Sequence, residues 1–232
     1  MSPDRFERQL AYLRRHGYRS ISLERWCEER RRRDGIVDDR VVLITFDDGY
    51  HDFLSDAWPL LQAYGFGATL FVTTDLVGGR AEWDRAYGEP AALLGWDELR
   101  GLAAAGLEVG AHGRTHAYLT RLPEARMVAE GREGRRRLEA ELGRPVTIMA
   151  YPFGDENRLV RRAMAGCGYL AALTTRPGQS RLADNAMGMP RQLVAGDDDL
   201  DTFIGKLGRP SRATLDRRLR YAYLRRARAN LM

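Results

Sequence analysis

Lysine is almost missing from this chain of 232 residues: Lys206 is the only one, so the formal net charge of +5 rests on arginine. Cysteine is nearly as scarce. Cys27 and Cys167 stand far apart with no Cys-x-x-Cys spacing, which argues against a disulfide scaffold or a thiolate metal cluster and for two reduced, structural thiols. No apolar run approaches the roughly 20 residues that a membrane helix needs, and there is no internal repeat or low-complexity linker. Residues 1–6 lack the apolar core of a secretory signal, which predicts a cytosolic protein, or an extracytoplasmic one whose leader has been removed. Arginine concentrates in 30–33, 132–137 and 212–228, always among acidic neighbours on helix-like segments. These runs read as solvated helix faces and predict no nucleic-acid partner.

What remains is an ordinary globular composition, 44% apolar and 30% charged, in a chain long enough for one domain of the barrel or doubly wound kind. Short apolar runs alternate with longer amphipathic stretches, the pattern of a parallel α/β protein. Helices are expected over 6–17, 21–33, 52–64, 96–105, 123–142, 156–165, 199–207 and 215–229. Strands are expected over 41–46, 68–72, 107–111, 146–150, 169–173 and 191–194. The stretch 76–94, rich in glycine and carrying Trp83, is a long connection of the sort that is often functional.

Two of the strands end in chemistry. The apolar run 41–44 leads into Thr45-Phe46-Asp47-Asp48-Gly49, and the run 107–111 leads into His112-Gly113-Arg114-Thr115-His116. Paired carboxylates at the end of a buried strand call for a cation, a proton-transfer partner or helix N–H groups. Parallel α/β folds build their sites at the C-terminal ends of strands, where loops converge. Asp48, His112 and His116 form a plausible set of three ligands for a divalent ion, zinc first, with iron, cobalt or nickel also suited. A bound ion would lower the pKa of its water toward about 7 and polarise a carbonyl. Asp47, aimed elsewhere by the alternation of the strand, would then take the proton from that water. The bland alternative makes the two Asp helix caps and the two His surface residues.

Together with Tyr151-Pro152-Phe153-Gly154, these motifs resemble the three leading motifs of the polysaccharide deacetylase (NodB-homology) family, over roughly residues 41–194. The resemblance implies a distorted (β/α) barrel of about seven parallel strands that removes acetyl groups from N-acetylated sugars, with Asp47 as base and Asp48, His112 and His116 as metal ligands. It further implies that the backbone N–H of Phe153 helps hold the oxyanion. Pro152 has no N–H, so Phe153 is the first donor after the strand. The division implied is one domain, with 1–40 a helical N-terminal segment, 41–208 the catalytic barrel and 209–232 a basic helix.

Three departures from the family pattern stand out. Gly113 replaces the usual Ser or Thr and removes a supporting hydrogen bond. Ala150 replaces the arginine that normally pairs with the base, and Arg191 is the candidate substitute, with a plain surface role as its rival. No histidine follows His116, so the usual late general acid is missing; Asp47 returning the proton is preferred over Asp184, Asp197 or Asp198 in that role, and over a metal-bound water that suffices alone. The Ala-Tyr-Pro-Phe-Gly form of the third motif resembles the branch acting on poly-N-acetylglucosamine, which points to a β-linked N-acetylhexosamine substrate. Tyr151, Pro152 and Trp83 are candidate substrate contacts, Trp83 by stacking on a sugar ring. The stripe Leu215, Leu219 and Leu224 among arginines offers peripheral contact with an anionic membrane, although packing on the barrel is the preferred reading. A sugar-binding relative without turnover is the competing function.

Overall fold

The computed structural model describes residues 1–31, 40–181 and 184–208, except the side chain of Tyr87. The expected C-terminal helix lies outside the described residues. Helix α1 (Pro3–Arg15) opens on Pro3, whose fixed φ suits a first turn, and buries Leu10 and Leu13. Strand β1 (Arg19–Ser20) pairs in parallel with β2 (Val41–Val42), and α2 (Leu23–Arg31) lies between them in the chain. Strand β3 (Thr45–Phe46) then starts the main sheet, followed by a π-turn and helix α3 (Trp58–Tyr64), which Gly65 ends in the left-handed conformation.

The remaining units alternate: β4 (Thr69–Val72), α4 (Trp96–Ala104), β5 (Glu108–Ala111), α5 (Glu124–Leu142), β6 (Ile148–Ala150), α6 (Arg158–Gly166), β7 (Ala171–Leu173) and α7 (Leu200–Leu207). The five strands β3 to β7 pair in parallel in the order of the sequence. A monotonic order has no reversal point, which separates this sheet from the doubly wound alternative and leaves the barrel-like one. Every residue of β4, β5, β6 and β7 is buried, as expected when both faces of a parallel sheet are covered.

Alternation along the strands divides the core in two. Leu70, Val72, Val109, Ala111, Met149 and Ala172 join the helices in one cluster, while Phe71, Ile148, Ala150, Ala171 and Leu173 face a second cluster plugged by Leu23, Trp26 and Cys27 of α2. Gly110 sits where a Cβ would come within 2.6 Å of the Phe71 ring, so the tight packing of that second face requires glycine. Glu108 at the start of β5 accepts hydrogen bonds from the N–H groups of Leu23 and Glu24, both at 2.8 Å, and from the Thr69 hydroxyl. That carboxylate satisfies the otherwise unpaired N-terminal N–H groups of α2 and fixes the plug to the sheet.

The architecture is an α/β half-barrel, and it corrects two expectations. The described residues carry seven parallel strands, as expected in number, in sheets of two and five. The run 41–46 is shared: Val42 O accepts from Ile21 N at 3.2 Å, whereas Thr45 and Phe46 pair with β4. Residues 191–194 do not form a strand; the ladder beside β7 is limited to a bridge between Leu173 and Met189, ahead of them in the chain. Pro190 has no N–H to continue the ladder.

Candidate functional site

Three loops at the C-terminal edge of the sheet carry the site. Asp47 and Asp48 follow β3, His112 to His116 follow β5, and Tyr151 to Gly154 follow β6. The described residues contain three non-glycine positions with left-handed backbone, Asp48 (φ 76), His116 (φ 57) and Phe153 (φ 58), one in each loop. Such conformations are costly for residues with a Cβ and persist where surroundings dictate them.

Asp48 Oδ1 lies 3.2 Å from His112 Nε2 and 3.0 Å from His116 Nε2, and ligand atoms of the three residues all fall within 4.8 Å of one another. His112 is 2% exposed and its Nδ1 is 2.8 Å from Ala150 O, a contact that requires the proton on Nδ1. In the neutral ring Nε2 then turns a lone pair toward the carboxylate. Acceptors facing one another at this distance need a cation or a proton between them, and two imidazoles with one carboxylate suit zinc, iron, cobalt or nickel. The residues therefore fit a divalent ion. Burial lowers the pKa of His112, but Asp48 and Asp47 beside it more than reverse this and hold it above its ordinary value. Burial likewise works against the charge on Asp48, and the two imidazoles outweigh it, holding the carboxyl well below the usual range.

Asp47 is engaged separately. Arg191 Nη1 and Nη2 donate to its two oxygens, each at 2.7 Å. Nη1 also reaches Thr45 Oγ1 at 3.1 Å, and Nε donates to Thr174 O at 3.0 Å. One guanidinium thus ties β3 and the residue after it to the residue that follows β7. Burial would raise the pKa of Asp47, but the charge and hydrogen bonds of Arg191 prevail and hold it below its ordinary value, with His112 assisting. The bidentate fork gives Asp47 a fixed cationic partner.

The other candidates divide. Phe153 has its ring 4.0 Å from Tyr118 in a parallel stack and 4.3 Å from His116, and a Cβ on the next residue, Gly154, would collide with Thr175. Trp83 stacks on His116 at 4.1 Å, so part of its surface is used against the site itself. Tyr151 is fully buried and its hydroxyl donates to Met187 O at 2.9 Å; Pro152 is buried too. Both are corrected from substrate contacts to packing residues, since neither side chain is accessible. Asp198 is 2% exposed, is paired with Lys206 and accepts from Ala195 N at 2.7 Å, while Asp184 Oδ2 accepts from Arg181 N.

Sequence reasoning missed Thr45, Tyr118 and the buried Glu130. A signal for Glu130 was available: it lies in the buried stripe Met127, Glu130, Gly131, Gly134, Leu138 of α5, where a lone carboxylate needs donors.

This half-barrel, with carboxylates and histidines at its C-terminal rim, is a parallel α/β architecture carrying a group of three side chains able to hold a metal ion. The sequence profile of polysaccharide deacetylases matches residues 34–172, and the chain belongs to that family. It is 27% identical over 173 residues to YxkH of Bacillus subtilis, covering 75% of this chain and 58% of that protein. It is 25% identical over 228 residues to the poly-β-1,6-N-acetyl-D-glucosamine N-deacetylase of Escherichia coli K12, covering 84% of this chain and 34% of that one. The chain thus spans less than two thirds of either relative. Among solved structures, the Streptococcus pyogenes deacetylase PplD in complex with acetate superposes with a TM-score of 0.78 at 24% identity, over 89% of this chain and 87% of that chain, a likeness of fold. A polysaccharide deacetylase from Bacillus cereus gives 0.76 at 25% identity, over 90% and 62% of the two chains.

Proposed function

We propose that this protein is a metal-dependent hydrolase that removes the acetyl group from an N-acetylated sugar, with β-linked N-acetylhexosamine units as the substrate class. The observation that carries the reading is the convergence of Asp48, His112 and His116 around one point, with Asp47 beside them kept ionised by Arg191. A divalent ion held by the three side chains supplies Lewis-acid polarisation of the acetyl carbonyl and a more acidic water.

The chain's own groups do the rest. Asp47, low in pKa and oriented by two hydrogen bonds, accepts the proton of the attacking water as oxygen bonds to the carbonyl carbon. The Phe153 N–H, carried on a left-handed turn, serves as donor to the developing oxyanion. When the C–N bond breaks, the sugar nitrogen takes a proton; with no histidine after His116 and Asp198 committed to Lys206, Asp47 is the group that returns it. Acetate and a free amine leave. Trp83 and the Phe153–Tyr118 stack form aromatic walls beside His116, suited to the apolar face of a sugar.

Acetate release from N-acetylglucosamine oligomers with added Zn²⁺ or Co²⁺ tests the reading. Asp48→Ala and His112→Ala are expected to lose metal, while Asp47→Asn should keep it and lose turnover by roughly 10²–10⁴-fold. The rival, a sugar-binding relative without turnover, is motivated by the same missing histidine; oligomer binding with no acetate in any metal would favour it.

A further inference from the structure

The turn between the two histidines is not self-supporting. Gly113 (φ 74) and His116 (φ 57) are both left-handed, and the carbonyls of Gly113 and Arg114 are held from one side by the N–H groups of Thr74 and Asp75, at 3.3 and 3.0 Å. The backbone N–H groups of the same turn meet Glu130 of α5, 6% exposed. Its Oε2 accepts from Arg114 N at 2.7 Å and from Thr115 N at 3.0 Å, and its Oε1 accepts from the Thr115 hydroxyl at 2.8 Å. Three donors from the residues between His112 and His116 thus converge on one carboxylate. The helix comes close enough for this because residue 134 is glycine; a Cβ there would lie 3.3 Å from Gly113 O.

Gly113 bears on the same point. A Cβ at 113 would sit 3.1 Å from Glu130 Oε2 and 3.4 Å from Pro152 Cγ, in a backbone conformation that side chains rarely adopt. The space a hydroxyl-bearing residue would need is taken by Glu130, which provides the turn with hydrogen bonds from outside rather than from within.

We infer that Glu130 is a positioning residue: it shapes the 113–116 turn so that His116 Nε2 meets Asp48 and His112, and so sets the affinity of the site for a divalent ion. This rests on the metal reading above. Outer residues of this kind typically change metal affinity by about 10–100-fold when removed. Because the role is geometric, the amide of Glu130→Gln preserves it: its oxygen accepts the two backbone N–H groups and its NH₂ donates to Thr115 Oγ1. Glu130→Asp keeps the charge but falls a methylene short.

The test is a Co²⁺ titration of the metal-free full chain, read by visible absorption, together with amide hydrogen exchange of Arg114 and Thr115 in the absence of metal. Glu130→Asp and Glu130→Ala should weaken Co²⁺ binding about 10–100-fold and speed exchange at both amides. Glu130→Gln should stay within about three-fold of the parent on the same hydrogen-bond argument. Glu133→Ala, which removes an exposed partner of the Arg114 guanidinium, should leave affinity unchanged. Parent-like binding by Glu130→Asp, or a loss in Glu130→Gln as large as in Glu130→Ala, overturns the inference while the metal reading stands. A parent chain that binds no Co²⁺ overturns both.

Discussion

Asp48, His116 and Phe153 hold left-handed φ values of 76°, 57° and 58°; Asp48 Oδ1 lies 3.0 Å from His116 Nε2, and the Phe153 ring lies 4.3 Å from that of His116. Strain of this kind is maintained by neighbours that leave no alternative: Gly49 and Gly154 follow two of the three, and Glu130 braces the third. The same scale governs the base. Asp47 has a folded pKa below its unfolded value of about 3.9, so its pairing with Arg191 contributes stability above that value and loses it as pH falls through the folded one. Arg191→Met removes the cation and leaves burial to push the carboxyl up. The acid limb of the kcat/KM profile should then move to higher pH, which a pH–rate series on the variant would measure. An unmoved limb would mean that Arg191 does not govern the base.

Among elements, the strands that end in function were legible because apolar runs stop abruptly at Asp47 and His112, and a charge or imidazole at such a point has few other uses. Asp48, His112 and His116 could be grouped from spacing and motif; their convergence required the fold. Arg191 was harder to single out, because in a chain so rich in arginine no local pattern distinguishes the one that reaches 144 positions back to Asp47. The run 191–194 reads as a strand by composition, yet Pro190 and the commitment of Arg191 to Thr45, Asp47 and Thr174 draw it off the ladder. Tyr151 follows the family motif but obeys burial. Glu108 was invisible in the sequence because its partners, Leu23 and Glu24, lie more than 80 residues away. Glu108→Ala strands two helix N–H groups and the Thr69 hydroxyl in a buried setting, a loss of about 1–3 kcal/mol or more. Urea denaturation should show it as a lower midpoint with little change in slope.

For the whole molecule, monotonic strand order puts all five C-terminal strand ends on one rim, while α2 fills the opposite end of the concave face. Rim and plug are separate parts of the same half-barrel: one carries Asp47, Asp48 and the histidines, the other Leu23, Trp26 and Glu108. Among the described residues no helix is long and apolar enough to cross a membrane.

Lys206 on α7 is buried against Asp198, with its side chain 8% exposed, and no other lysine exists in the chain. The folded molecule therefore offers acylating reagents no accessible ε-amine. Treatment with an amine-reactive ester should leave the native protein with a single adduct at its α-amine, read by intact mass. A second adduct would time the detachment of α7, so this helix carries its own built-in reporter of opening, whereas prompt double labelling would show that Lys206 is not shielded.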